Sequence, residues 1–190
     1  MRYLFILAIL ISSIFQANSQ EFTFDIGHSF IEFSVERFGV AMVNGKFNQF
    51  EGAIQFDSVN QMITDAYVKI DVKSIDTGHK IRDEHLQSPI WLDVDNFPTM
   101  EFKSTSVSRI DDGFVIKGDL LIHGVSKPVE IQYSMKGPLV DPTKKTTIGL
   151  EGQISINRQD FGISFNKLFG SDIPFIGNEV NISLNILAHQ

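Results

Sequence analysis

The sequence predicts an all-β protein, an antiparallel barrel or sandwich of roughly eight strands with one short helix in a central connection. Apolar and polar residues alternate through much of the chain, for example over residues 31–36 and 66–73. A period of two is typical of half-buried strands. Turn signals rich in Gly, Asn and Asp separate these runs, and no segment shows helical periodicity over the length of an ordinary helix.

The strand candidates follow one another in chain order. Before the central connection they are residues 31–36, 46–50, 52–57 and 66–73, with turns at Asn44-Gly45 and 57–60. After it they are residues 100–107, 114–122, 129–136, 146–157 and 180–187, with turns at 111–113, Gly137-Pro138 and Asp141-Pro142. Gly118, Gly149 and Gly152 fall inside these runs, where glycine is typical of the bulges that barrel closure requires. Arg37 and Arg158 each follow a strand in a faintly similar context, which indicates only similar strand-exit chemistry.

The central connection, residues 75–104, is the one long interruption of this pattern. Residues 79–86 have the composition of a short helix of one or two turns. Pro89 and Pro98 end the helix and favour extended backbone before them, so that the chain returns to a strand. Trp91, the only tryptophan, lies in this connection.

The N-terminus has the pattern of an export signal. Arg2 provides a positive charge, residues 3–11 an apolar stretch, and Ala17-Asn18-Ser19 a small-residue cleavage site. We therefore predict a signal peptide over residues 1–19, one domain over 20–190, and a periplasmic or secreted location. An uncleaved membrane anchor is the alternative, although nine apolar residues are too few to span a bilayer.

Charge and cysteine content exclude several classes of protein. The formal net charge is −7, and it becomes −8 when Arg2 leaves with the signal. Nucleic acids and anionic membrane surfaces attract concentrated positive charge, so neither is an expected partner. The chain has no cysteine, which excludes a disulfide framework and a cysteine-linked lipid anchor. No later segment is apolar over a membrane-spanning length, so the mature chain is expected to be soluble.

Phenylalanine is the informative excess. The chain has 17 Phe, and 15 remain once Phe5 and Phe15 leave with the signal. Phe lines a dry space without the polar partner that Tyr and Trp require. Composition alone leaves open whether these rings fill a core or line a cavity.

Five segments carry a resemblance to a known family. They are Ser74-Ile-Asp-Thr-Gly78, Arg82-Asp-Glu-His-Leu-Gln-Ser-Pro89, Trp91-Leu-Asp-Val94, Phe97-Pro-Thr-Met-Glu-Phe-Lys-Ser104 and Gly118-Asp-Leu-Leu-Ile-His-Gly-Val-Ser-Lys-Pro-Val129. In this order they resemble the YceI-like family of secreted polyisoprenoid-binding proteins, over nearly the whole mature chain. The resemblance implies a lipocalin-like antiparallel barrel whose interior holds a long isoprenoid chain. The chain lacks the Gly-x-Trp of true lipocalins, so that likeness is architectural, and Ile90-Trp91-Leu92 stands where relatives often have paired Phe.

A barrel of about eight strands has an interior that its side chains fill or that holds one small ligand. A polyprenyl chain cannot cross water alone, so the second case predicts an exported carrier for a polyisoprenoid or similar long-chain amphiphile, such as a quinone or a polyprenyl phosphate. Each buried CH2 contributes about 0.8 kcal/mol to binding. Strand parity groups the candidate cavity residues, and a slip of one residue would reverse their face. The candidates are Ile31, Phe33, Val35, Phe38, Phe47, Val68, Ile70, Phe102 and Leu120, with Trp91 from the central connection.

Arg82, Asp83 and His85 form a polar cluster in the predicted helix. They are candidate ligand-binding residues, with Arg82 and Lys80 donating to a pyrophosphate or to quinone oxygens. Alternatively, an Arg–carboxylate pair ties the helix to the barrel rim. His79 and Asp83 share a helical face that His85 does not, so no metal site is predicted.

Two apolar segments have open roles. Trp91 with Ile90, Leu92 and Phe97 forms either a plug over one barrel end, which is the favoured interpretation, or a gate over the ligand. Residues 168–169 and 173–176 form a second apolar loop. It is a mouth for ligand entry, a contact with a membrane or partner, or a segment folded under the barrel.

Catalytic motifs are absent from the sequence, which holds no Cys nucleophile, nucleophile elbow, phosphate-binding glycine loop or His-Glu-x-x-His. The chain is therefore predicted to be a non-enzyme without a cofactor, whose partner is a hydrophobic lipid ligand. Two alternatives are kept. One is an exported interaction or stress-protective module, and the other is an enzyme on a lipid-like substrate with Asp83 and His85 as acid and base. The sequence does not decide whether two chains form a homodimer.

Overall fold

The structure is a computed structural model that describes residues 19–170 and 172–190, so residues 1–18 of the predicted signal lie outside it. The strands are β1 (Ser19–Phe24), β2 (Phe30–Arg37), β3 (Ala41–Phe47), β4 (Phe50–Asp57), β5 (Met62–Asp71), β6 (Ile75–Asp76), β7 (Thr99–Ile110), β8 (Gly113–Ile122), β9 (Val125–Val140), β10 (Thr146–Asn157), β11 (Leu168–Phe169), β12 (Ile173–Pro174) and β13 (Ile176–His189). The helix is α1 (Lys80–Leu86), and single 3-10 turns occupy Ile26–His28, Val72–Ser74 and Arg158–Phe161.

The main sheet closes into an eight-stranded antiparallel barrel. Its eleven segments reduce to eight bent strands because β1–β2, β3–β4 and β5–β6 are each one strand with a kink. Two of the kinks are 3-10 turns in which Asp25 and Asp71 cap the first turn by accepting from a backbone N–H two residues on. Each bent strand pairs with the next in the chain, and β13 pairs with both β1 and β2 to close the ring. The predicted all-β barrel is confirmed.

The two ends of the barrel carry different connections, since in an up-and-down order successive connections lie at opposite ends. The helix end carries α1 with the rest of the central connection, the turn at 123–124 and the segment 158–175. The turn end carries the short connections after β4, β7 and β9. The largest core cluster lies toward the turn end and includes Phe22, Ile54 and Phe56. A second cluster lies under the helix end and includes Trp91 and Phe161.

The predicted helix is confirmed over Lys80–Leu86, with His79 as its N-cap. The His79 ring accepts from the backbone N–H of Arg82 at 3.3 Å. Within the described ranges, neither this helix nor any other has the length and apolar character needed to cross a membrane.

Two predicted turns are wrong. Asn44-Gly45 lies inside β3, opposite Ser34 and Phe33, and the hairpin turns instead at residues 38–40. Gly45 is needed in the strand because a Cβ there would collide with the Phe33 ring. Gly137-Pro138 lies inside β9, where a register shift against β10 absorbs the irregularity.

The barrel wall is incomplete between β9 and β10. Their ladder runs from the turn end as far as Gln132 and Gln153, and no further pairing between them is found in the described part of the chain. Toward the helix end β9 therefore pairs with β8 alone, and β10 with β13 alone. Pro128 lies on this free edge of β9, a position that suits a residue without an N–H.

Candidate functional site

The barrel interior contains an apolar cavity on the helix-end side of the main core cluster. Its volume is about 270 Å³, whereas a single water needs roughly 10–15 Å³. Inward-facing residues of the barrel strands line it, together with α1, Trp91 and the segment after β10. The turn half of the barrel is filled by side chains, and the half under the helix is not.

Strand alternation places most of the predicted cavity residues on this lining. Those that line it are Ile31, Phe33, Val35, Phe47, Val68, Ile70, Arg82, His85, Trp91, Phe102 and Leu120. Successive inward positions on one strand, such as Ile31, Phe33 and Val35, follow directly from the period of two. Their location is thus established, and their contact with a ligand stays a prediction.

Phe38 does not lie on the cavity lining. It follows the last residue of β2 and takes a left-handed conformation with φ of 57°. Its ring packs outside the cavity against Phe169, with ring centroids 5.7 Å apart, and against Phe175 at 4.6 Å. Parity already separates Phe38 from Val35, and Arg37 occupies the next inward position instead.

Asp83 also lies off the lining, and its role is to position Arg82. The Asp83 carboxylate accepts from the backbone N–H of Thr77 at 2.9 Å and from the Thr77 hydroxyl. The same hydroxyl accepts from Nε of Arg82 at 2.7 Å, and Nη2 of Arg82 donates to the Thr77 carbonyl at 2.7 Å. Arg82 and Asp83 therefore both contact Thr77, and the Arg–carboxylate pair that was one of the two alternatives is not formed between them.

Trp91 belongs to the core cluster under the helix end and is part of the cavity wall. It is buried, and its ring lies 4.6 Å from that of Phe165 and 6.2 Å from that of His85. Its indole Nε1 is buried and donates to no oxygen or nitrogen among the described residues. A buried donor without an acceptor is unusual and needs an explanation.

Arg158 is the main residue that the sequence reasoning missed. It is 4% exposed and lines the cavity. Its guanidinium donates to the carbonyls of Ile163 at 2.6 Å, Phe165 at 2.7 Å and Gly177 at 3.0 Å, and to Oδ1 of Asn178 at 2.8 Å. Burial lowers the pKa of this guanidinium from its ordinary value.

Arg37 is the second missed cation of the lining, and the same signal could have found both residues. Arg37 continues the inward parity of Val35, and Arg158 continues that of Ile156, so each is the inward residue where its strand ends. The guanidinium carbon of Arg37 lies 4.7 Å from the ring centre of Phe38 and 5.2 Å from that of Phe175. The weak similarity between the two strand exits is thus a shared position at the cavity.

The apolar loop predicted near the C-terminus divides between surface and cavity. Leu168, Phe169 and Ile173 are exposed on the β11–β12 hairpin, so this part does not fold under the barrel. Phe175 and Ile176, directly after it, line the cavity.

Metal chemistry has no evident site in residues 19–170 and 172–190, since no group of three His, Cys, Asp or Glu side chains there is arranged to hold an ion. His79 is occupied as the cap of α1.

Comparisons with known proteins agree with this architecture. A UPF0312 protein of Pseudomonas paraeruginosa is 38% identical over 159 residues, covering 84% of this chain and 80% of the relative. A UPF0312 protein of Yersinia enterocolitica is 34% identical over the same coverage. Among solved structures, Burkholderia cenocepacia BcnA superposes with a TM-score of 0.73 at 21% identity, covering 86% of this chain and 98% of BcnA.

Another fold neighbour is described as a polyisoprenoid binding domain from Saccharophagus degradans. It has a TM-score of 0.67 at 13% identity, and the match covers 88% of this chain and 97% of that domain. The family model of the YceI-like domain matches residues 22–188, which is nearly all of the described chain. The chain therefore belongs to the YceI-like domain family.

Proposed function

We propose that this protein is a carrier that binds a polyisoprenoid or similar long-chain amphiphile, such as a quinone or a polyprenyl phosphate, inside its barrel. One observation carries the proposal: inward-facing apolar side chains enclose a cavity that they do not fill. Each CH2 moved from water into such a space contributes about 0.8 kcal/mol. The Saccharophagus degradans domain, described as polyisoprenoid binding, supports this ligand class by its shared fold.

The location and the chemistry belong to the same proposal. The signal-like pattern of residues 1–19 supports export to the periplasm or beyond. In this proposal the protein acts by binding, because an apolar cavity shields a hydrocarbon chain from water.

Extraction of the purified protein with organic solvent, followed by mass spectrometry, tests the ligand directly. A recurrent isoprenoid mass that purifies in stoichiometric amount is the expected result. Material with no lipid, together with no binding of added prenyl chains, would reject the carrier function.

A matched pair of variants tests whether the cavity is the binding site. Leu120→Phe adds volume to the lining, whereas Leu121→Phe makes the same change at the neighbouring residue, which is not part of the lining. We expect Leu120→Phe to weaken binding of a prenyl chain about tenfold or more, while Leu121→Phe leaves it within about twofold. Equal affinities of the two variants would place the ligand elsewhere.

The exposed apolar hairpin supports a second candidate, an exported interaction or stress-protective module. Phe169 is 62% exposed, and Leu168 is 48% exposed. Phe169→Ser would then abolish capture of a partner while prenyl binding stays intact. The carrier function predicts that Leu120→Phe, and not Phe169→Ser, weakens prenyl binding.

A further inference from the structure

The cavity becomes cationic toward the helix end. Arg37, Arg82 and Arg158 all contribute to its lining. Of the acidic residues on the lining, Glu32 and Glu101 belong by strand alternation to the outer face, next to inward Ile31 and Phe102. The ion pairs found in residues 19–170 and 172–190 involve none of the three arginines.

Arg158 brings a charge into this apolar space, and no carboxylate of residues 19–170 and 172–190 is found paired with it. All the acceptors of its guanidinium are carbonyl or amide oxygens, which are dipoles without net charge. Arginine does not lose its proton under such conditions. A buried charge normally has a partner of opposite charge, so this position favours an anion nearby.

One hydrogen-bond donor of the lining is left without a partner by the described residues. It belongs to Arg82 and not to Trp91, whose Nε1 also lacks an acceptor but has no accessible surface and so does not face the cavity. The guanidinium carbon of Arg158 lies 5.7 Å from the centre of the Trp91 ring. Nε and Nη2 of Arg82 donate to Thr77, whereas its Nη1 makes no hydrogen bond with the described residues. Asp83 accepts a hydrogen bond from the Thr77 hydroxyl, and that hydroxyl accepts from Nε of Arg82, so Asp83 helps to hold Arg82 in place.

We propose that this region is a subsite for an oxyanion head group, so that the carried amphiphile ends in a phosphate monoester or a carboxylate. Nη1 of Arg82 donates to the oxyanion, and the charges of Arg37 and Arg158 on the same lining stabilise it. The prenyl or acyl tail then follows the apolar wall toward the filled half of the barrel. This inference rests on the proposed carrier function and narrows its ligand to acidic amphiphiles, in preference to quinones and alcohols.

The test compares three ligands with one tail: farnesyl phosphate, farnesoic acid and farnesol. Binding to the purified, delipidated protein is measured by calorimetry and, independently, by the fluorescence of Trp91, which is the only tryptophan. We expect at least one oxyanion to bind about tenfold more tightly than farnesol. A preference for farnesyl phosphate alone assigns a phosphate site, and a preference for both acids assigns a general oxyanion site.

Two variants locate the preference. Arg82→Gln and Arg37→Gln each remove one positive charge from the cavity lining. Each is expected to reduce the oxyanion preference about fivefold or more while farnesol affinity stays within about twofold. Lys117→Gln is the control, because Lys117 is 50% exposed, pairs with Glu130 and is not part of the cavity lining; it should leave the preference unchanged.

The outcomes separate the two proposals. If farnesol binds as tightly as both oxyanions, the subsite is overturned and the carrier function stands. If the preference exists but survives both variants, the assignment to Arg82 and Arg37 is overturned. If none of the three ligands binds, the carrier function fails and the subsite fails with it.

Discussion

Arg158 donates hydrogen bonds to the backbone of the segment after β10, a part that neighbouring strands play elsewhere in the barrel. Residues 162–167 have no regular secondary structure, yet two of their carbonyls accept from this one guanidinium. Gly177, at the start of β13, accepts from the same side chain. A single residue thus fixes the wall that joins the helix end to the cavity.

Replacing Arg158 should therefore destabilise the protein strongly. Arg158→Met leaves several buried carbonyls without donors, so we expect the free energy of unfolding to fall by about 3 kcal/mol or more. The measurement is a urea titration followed by circular dichroism. Arg109→Met is the control, because the exposed Arg109 donates to the carbonyls of Asn60 at 3.2 Å and Gln61 at 3.4 Å, and its loss should cost at most about 1 kcal/mol. Similar losses in both variants would contradict this role for Arg158.

Asp25 makes the stability of the fold sensitive to acid. Its carboxylate lies 2.9 Å from Nδ1 of His28 and 3.0 Å from Nε2 of His189. The hydrogen bond to His28 is the main cause, and that to His189 the next, by which the pKa of Asp25 is lowered to about 2.

A lowered native pKa means that ionised Asp25 stabilises the folded state above pH 4, and that this contribution is lost as the pH falls from about 4 to about 2. The wild-type free energy of unfolding should therefore decline over this range. In Asp25→Asn the decline should be shallower, since the titrating group is gone. Urea titrations at half-unit pH steps measure both slopes, and parallel slopes would show that Asp25 contributes nothing to acid sensitivity.

At the scale of elements, the sequence alone predicts what local pattern controls. Alternation in β2 identifies Ile31, Phe33 and Val35 as one face, and Pro89, shortly after Leu86, prevents α1 from continuing. The error at Asn44-Gly45 has a different origin. A Gly after Asn is a strong local turn signal, but this Gly is required by the Phe33 ring on the neighbouring strand, which is information about pairing and not about local sequence.

The site shows the same division. Inward parity gives the apolar wall, because it needs only the period of two. The hydrogen bonds that connect Asp83, Thr77 and Arg82 depend on how α1 folds back on β6. The sequence could therefore identify these residues as candidates but could not predict which of them faces the cavity. The partners of Arg158 lie up to 20 residues away, beyond the reach of any periodicity.

Glycines inside strands supply a prediction at this scale. Gly118 faces a register shift between β7 and β8, and a Cβ there would collide with the carbonyl oxygen of Lys103 and the ring of Phe102. Gly149 also lies next to a register shift, but a Cβ there meets nothing within 4 Å.

Gly118→Ala should lower the free energy of unfolding by about 1–3 kcal/mol, because the backbone of β7 must move. Gly149→Ala should leave it unchanged or raise it by up to about 1 kcal/mol, since alanine restricts the unfolded chain. Thermal and urea unfolding of the two variants measure the difference. A stable Gly118→Ala protein would mean that the bulge in β7 relaxes freely.

At the scale of the whole molecule, the phenylalanine excess serves two purposes that composition could not separate. Phe22, Phe56 and Phe114 fill the turn half of the barrel. Phe33 and Phe102 line the cavity under the helix end. Which ring goes where depends on the distance of each strand position from the barrel end, and that distance is set by strand register, which no single segment encodes.

Because of this asymmetry, we expect Ile→Ala to lower the free energy of unfolding by different amounts in the two halves. Ile54 is 2% exposed within the filled half, whereas Ile70, on the neighbouring strand β5, is partly buried and lines the cavity. Ile54→Ala removes contacts on all sides and should cost about 3–4 kcal/mol of unfolding free energy. Ile70→Ala should cost only roughly 1–2 kcal/mol, because part of its surface already faces space that no side chain occupies.

Urea titrations of the delipidated protein measure both values, and a saturating prenyl ligand supplies the decisive comparison. If the ligand binds in the cavity as proposed, it contacts Ile70, so it should stabilise wild type more than Ile70→Ala and widen the loss at that position. The loss at Ile54 should stay constant within about 0.5 kcal/mol, since distant sites add independently. Equal losses at the two positions without ligand would mean that the half under the helix closes on itself in solution, and the barrel would then have no room for a carried chain.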